Sequence, residues 1–170
     1  MLDKGGRLKI GYQIYTPEER VRRDGTLWTV VQGVLAPVQF VVFIISLILV
    51  VRYFVTGAGY EVATLSIVAK TFVLYLIMIT GAIWEKVVFG QYLLAPSFFW
   101  EDTVSFFVIA MHSAYLLLLL TDLVSDETKL FVALFAYFLY FLNALQFLIK
   151  FRNAKMSVDS PVSSQSGIAV

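Results

Sequence analysis

The sequence predicts an all-α protein: an integral membrane bundle of about four transmembrane helices, with both termini cytoplasmic. Three observations lead there. Hydrophobic residues fill 59% of the 170 positions and charged ones 15%, against about a quarter charged in soluble domains. Four runs approach the ~20 apolar residues that cross ~30 Å of hydrocarbon as a helix. Basic residues gather in alternate flanks of those runs, the pattern of the positive-inside rule. Lipid offers no partner to an unpaired backbone group, so a span must be a helix or part of a closed barrel. The alternating pattern of barrel strands is missing.

Residues 1–27 are polar and charged and hold no apolar core ahead of a small-residue cleavage site; they read as a cytoplasmic segment, not a signal peptide. The first run, Trp28 to Val51, carries no charge. Gln32 and Gln39 lie seven apart on one of its faces, and Pro37 between them is expected to kink the helix and free a carbonyl. Thr56-Gly57-Ala58-Gly59 is a glycine-rich turn. The second run, Val62 to Trp84, contains only Lys70 as a charge, and the third, Thr103 to Thr121, only His112 as an ionisable group. Ser125-Asp126-Glu127-Thr128 reads as a cap for the fourth run, Leu130 to Ile149. There Asn143 and Gln146 share a face with Tyr137 and Tyr140. The middle connection, Glu85 to Asp102, should break helix at Gly90 and Pro96, and its aromatics suit a membrane interface. The transmembrane domain is thus 28–150, and 151–170 is a cytoplasmic tail whose Ser-rich part, Met156 to Val170, is expected to be disordered.

Orientation follows from Lys4, Arg7, Lys9, Arg20, Arg22 and Arg23 before the first span, Lys86 in the middle connection, and Lys150, Arg152 and Lys155 after the last. The other two connections hold only Arg52 and Lys129, the second among Asp122, Asp126 and Glu127. A net charge of +1 gives no broad basic surface for nucleic acid. With no Cys and one His, disulfides, a thiolate nucleophile and multi-histidine metal sites are excluded within one chain.

The residues able to carry chemistry are few. Lys70 lies well inside the membrane, where an ionisable group faces a partner or a cavity; it either snorkels or bonds a neighbouring helix, or it has a function. Glu101, Ser105, Val108, His112 and Tyr115 form a stripe on the third span. His112 is read equally as an interhelical hydrogen bond or as a ligand or proton shuttle. The amides Gln32, Gln39, Asn143 and Gln146 are ordinary interhelical glue. Trp84-Glu85 closes the second span and Trp100-Glu101-Asp102 opens the third; capping explains the last two acids, and the tryptophans read as interface anchors. Yet three carboxyls bracket one aromatic loop, where apolar surroundings would make one a usable proton donor.

The stretch Tyr15 to Phe40, YTPEERVRRDGTLWTVVQGVLAPVQF, resembles the vinyl-bacteriochlorophyllide hydratase family of bacteriochlorophyll biosynthesis. So do Ser66 to Asp102, with IVAKTFVLYLIMITGAIWEKVVFGQYLLAPSFFWED, and His112 with Ala114-Tyr115. The resemblance spans roughly Tyr15 to Leu120. It implies a hydro-lyase of photosynthetic pigment synthesis, adding water to the 3-vinyl group of a chlorophyllide to give a 1-hydroxyethyl group. It implies the cell inner membrane, cytoplasmic or intracytoplasmic, and other enzymes of the pigment pathway as partners.

On that footing one carboxyl among Glu85, Glu101 and Asp102 donates a proton to the terminal vinyl carbon, and a second one or His112 directs the water. Arg20, Arg22 and Arg23 could meet the pigment's propionate, unless they serve only orientation. Lys70, Gln32, Gln39, Trp84 and Trp100 complete the expected pigment-binding set. No cofactor is expected, since hydration needs none and no GxGxxG or phosphate loop occurs; the magnesium belongs to the pigment, with His112 a candidate axial ligand. Two rivals remain open at this stage: a pigment carrier or assembly factor that returns the pigment unchanged, and a small transporter lined by Lys70 and the amides.

Overall fold

The computed structural model describes residues 14–158; Lys4, Arg7, Lys9 and the tail beyond Val158 lie outside the described residues. Within them the chain is entirely helical: α1 Pro17–Gly25, α2 Leu27–Thr56, α3 Tyr60–Phe89, α4 Phe99–Thr121 and α5 Asp126–Val158.

α1 interrupts what the composition alone reads as a polar lead-in. Its origin is local. Thr16 Oγ1 accepts from the Glu19 N–H at 3.2 Å, and the Thr16 N–H donates to Glu19 Oε2 at 2.8 Å, a reciprocal capping box. Pro17 opens the helix, Glu18 and Glu19 sit in its first turn, and Arg22 and Arg23 in its last, all favourable to the helix dipole. Thr26 ends α1 and caps α2 by accepting from the Trp28 N–H.

Four helices are long and apolar enough to cross a membrane, Leu27–Thr56, Tyr60–Phe89, Phe99–Thr121 and Asp126–Arg152, so the chain is a multi-pass membrane protein. They run past the uncharged stretches because a helix does not stop where hydrocarbon does: 30 residues extend ~45 Å. α2 continues through Pro37. α2 and α3 end on Gly57 and Gly90, whose φ of 68° and 84° let their N–H groups turn back to Tyr53 and Lys86. Ser125 caps α5 by accepting from the Thr128 N–H. Phe98, however, is the N-cap of α4 and makes no side-chain cap; the Glu101 and Asp102 carboxyls are engaged elsewhere.

The helices pack as two hairpins, α2 with α3 and α4 with α5, which touch each other less extensively. One half of the bundle is closed by Phe43, Val50, Ile67, Val108, Tyr115 and Tyr137. At the opposite end Ile14, Tyr15, Trp84, Val88 and Phe98 form a second apolar cluster. Val41, Ile48, Phe72, Ile79, Phe107 and Phe138 face outward, as lipid contact demands. Arg22 Nε donates to Val88 O, Ser97 Oγ to Ile14 O, and Lys150 Nζ to Glu101 Oε2. These bonds gather α1, the α3–α4 connection and the end of α5 at one end. At the other end Lys129, in the first turn of α5, is held between Asp122 and Asp126.

Candidate active site

The hairpins part in the half of the bundle that α1 covers, leaving a cavity of about 1350 Å³. This exceeds the ~300–1,000 Å³ of pockets for drug-sized ligands. Its walls are overwhelmingly apolar, so the few polar side chains on them mark where chemistry can occur.

Arg20, Arg23 and Asp24 stand at the mouth. Arg23 pairs with Asp24 at 2.7 Å and lays its guanidinium 4.7 Å from the centre of the Tyr15 ring. Burial pushes the Tyr15 phenol up to about 12, against the opposing pull of Arg23. Arg22 turns away, its Nε on Val88 O at 2.8 Å.

Glu85 on α3 and Asp102 on α4 are both buried and both line the cavity, and they accept from consecutive N–H groups of the loop between the helices. The loop between the helices holds them. The Leu94 N–H donates to Asp102 Oδ2 at 2.6 Å and the Ala95 N–H to Glu85 Oε2 at 3.2 Å. To present those groups the backbone takes φ of 57° at Leu93 and 56° at Leu94, a left-handed conformation costing ~1–2 kcal/mol per residue for non-glycine side chains. Strain of this kind concentrates where a site is over-determined by its surroundings. Beside the pair, Trp84 Nε1 donates to Thr29 Oγ1 at 2.9 Å, and Thr29 donates to Arg23 O.

One turn deeper, Asn143 Nδ2 donates to Ser105 Oγ at 2.7 Å, and Gln32 Nε2 to Thr80 Oγ1 at 2.7 Å. Gln39 and Tyr140 line the far end; Gln39 is buried with neither amide atom partnered.

The remaining sequence candidates lie off the cavity. Glu101 is bound to Lys150 at 2.6 Å. Trp100 is 70% exposed, in keeping with an interface anchor. Lys70 and His112 are both fully buried and bonded to each other, Nζ to Nε2 at 2.6 Å. Lys70 Nζ also sits 3.9 Å from the Tyr140 ring centre. His112 Nδ1 lies 2.8 Å from Val108 O. A carbonyl only accepts, so Nδ1 carries the proton and Nε2 accepts from Lys70. Neither ring nitrogen is left for a water or a magnesium ion.

The structure therefore brings together Glu85, Asp102, Trp84, Gln32, Gln39, Arg20 and Arg23, and separates Glu101, Arg22, Trp100, Lys70 and His112 from them. Sequence reasoning missed Tyr15, Asp24 and Thr29 on the wall, and the loop N–H groups. The TPEE capping box at Thr16–Glu19 was the available signal for the first two, since it folds α1 over the mouth. The left-handed leucines had none.

The sequence pattern of the family described as 2-vinyl bacteriochlorophyllide hydratase (BCHF) matches residues 15–153. A 2-vinyl bacteriochlorophyllide hydratase of Rhodobacter capsulatus is 60% identical over 147 residues, 86% of this chain and 85% of that protein. One of Cereibacter sphaeroides is 58% identical over 148 residues, 87% of this chain and 92% of that protein. No solved structure matches the chain.

Proposed function

This chain belongs to the 2-vinyl bacteriochlorophyllide hydratase family, and we propose that it adds water to the vinyl group of a bacteriochlorophyllide-type pigment in bacteriochlorophyll synthesis, using Glu85 and Asp102. The observation that carries the residue assignment is the apposition of these two carboxyls on the wall of a large apolar cavity. Adding water to a vinyl group needs an acid for the terminal carbon and a base for the water, and neighbouring carboxyls can divide those roles.

One carboxyl of the pair gives its proton to the terminal carbon, which becomes a methyl group. The positive charge left on the carbon beside the ring spreads into the macrocycle. Water bonds to that carbon and passes its extra proton to the other carboxylate or to the one just emptied, so the pair ends with the charge it began with. Leu94 and Ala95 N–H groups fix the carboxylates while this happens, and the apolar walls keep other water away from the cation. Arg20 and Arg23 at the mouth meet the propionate by charge-assisted bonds. The mouth lies on the cytoplasmic face of the inner membrane; ten of the 13 Lys and Arg residues fall in the segments before, between and after the spans on that side.

Membranes containing the protein, given a 3-vinyl chlorophyllide, are expected to form 1-hydroxyethyl pigment with the red band moved to shorter wavelength. Pigment that co-purifies unchanged would contradict hydration and favour a carrier.

A further inference from the structure

Hydration needs the attacking water in one place, and two wall residues, Gln39 and Asn143, have an amide oxygen with nothing to accept from; of the two, Asn143 is bonded to Ser105 on the helix that carries Asp102. Asn143 is 8% exposed and lines the cavity, as does Ser105. Its orientation is fixed by chemistry. The Ser105 hydroxyl spends its only hydrogen on Glu101 O at 2.9 Å, so towards Asn143 it can only accept. The atom 2.7 Å from Ser105 Oγ must therefore be Nδ2, and the amide oxygen is left over. Asn143 Oδ1 is buried and without a partner. Ser105 stands three positions after Asp102 on the same face of α4, ~4.5 Å further along the axis at ~1.5 Å per residue. A buried carbonyl oxygen thus sits one turn from the carboxyl pair, in want of a donor. Asn143 lines the cavity, an unpartnered buried oxygen is the kind of group that binds an internal water, and a water has hydrogens to give.

We propose that Asn143 holds the nucleophilic water, with Ser105 as the positioning residue that engages the amide nitrogen and so leaves the amide oxygen free for it. This rests on the hydration reading. Asn143 Oδ1 accepts one hydrogen of the water and takes no proton itself. The water's oxygen forms the bond to the carbon beside the ring, and its other hydrogen leaves as a proton to the carboxyl pair. Held from one side, the water reaches one face of the planar cation, so the new hydroxyl carbon forms with a single handedness.

The test is the epimer ratio of the 1-hydroxyethyl product, separated by chiral chromatography, with kcat and KM, using the full chain purified in detergent and 3-vinyl chlorophyllide. Wild type should give predominantly one epimer. Asn143→Leu should cut kcat about tenfold to a hundredfold, the effect of one hydrogen bond to a reacting group, leave KM within about threefold, and erode the epimer excess. Ser105→Ala frees the amide to turn and should erode it as well, whereas Ser105→Thr, which keeps the hydroxyl, should retain the wild-type ratio. A variant that merely packs less well would lose yield without changing the ratio of the product it still makes. An unchanged ratio in both Asn143→Leu and Ser105→Ala would overturn the proposal. Wild type that binds pigment but makes neither epimer would overturn the hydration reading beneath it.

Discussion

Replacing Glu85 by Gln removes the ability to give or take a proton and keeps the shape of the side chain. The Ala95 N–H that reaches Glu85 Oε2 at 3.2 Å finds an amide oxygen in the same place, so the loop keeps its anchor. Asp102→Asn is equally gentle toward the Leu94 N–H at 2.6 Å. What each loses is one member of the acid–base pair, a loss of about 10²–10⁴-fold, or about 3–5 kcal/mol of barrier at 1.36 kcal/mol per decade. Glu101→Gln is the control. Its carboxylate is bound to Lys150 at 2.6 Å, off the cavity, with both side chains 12% exposed. Breaking a buried pair lowers stability, so the yield of folded protein should fall, but the rate per folded molecule should stay within about threefold of wild type. The assay is the initial rate of hydroxyethyl pigment formation, normalised to protein that survives size-exclusion chromatography. The reasoning is refuted if Glu85→Gln and Asp102→Asn both keep near-wild-type rates, or if Glu101→Gln loses as much as they do.

Other outcomes follow from the same geometry. Leu94→Pro should abolish activity and cost ~3 kcal/mol or more, because proline locks φ near −65° where the chain needs 56° and deletes the N–H that Asp102 accepts; Leu94→Gly should be tolerated, as thermal unfolding of the two will show. Arg20→Ala and Arg23→Ala should raise KM for the propionate-bearing pigment, less so at high salt and less so for its methyl ester, with kcat within about threefold. Tyr15 gives a pH dependence. Its phenol is raised to about 12 by burial, so the unfolded chain gives up that proton first. The stability it contributes is intact below pH ~10 and is lost between ~10 and ~12. Tyr15→Phe should flatten the alkaline fall in melting temperature over that range.

Much of this was legible in the sequence because hydropathy and helical period are local. The four spans came from uncharged runs, and the face Ser105–Val108–His112–Tyr115 from the 3.6-residue repeat; all four are buried on α4. α1 was legible in TPEE at Thr16–Glu19 but masked by the polarity around it. Pairings were not legible. Glu85 and Asp102 stand at opposite ends of one connection, and only the packing of α3 against α4 makes them a pair while sending Glu101 to Lys150 on α5. Lys70 and His112 were each conspicuous as polar groups in apolar spans, yet that each is the other's partner is a fact of helix register. Asn143 reads as glue from sequence, because the direction of its amide depends on which way the Ser105 hydroxyl points.

The most direct measurement takes the purified protein in ¹⁸O-labelled water with 3-vinyl chlorophyllide and follows pigment mass over time. The account expects pigment heavier by one labelled water, the label retained in the hydroxyl, forming with wild type and falling at least a hundredfold in rate with Glu85→Gln. Pigment of unchanged mass with wild type, or label gained at the wild-type rate by both the Glu85→Gln and Asp102→Asn proteins, would contradict it.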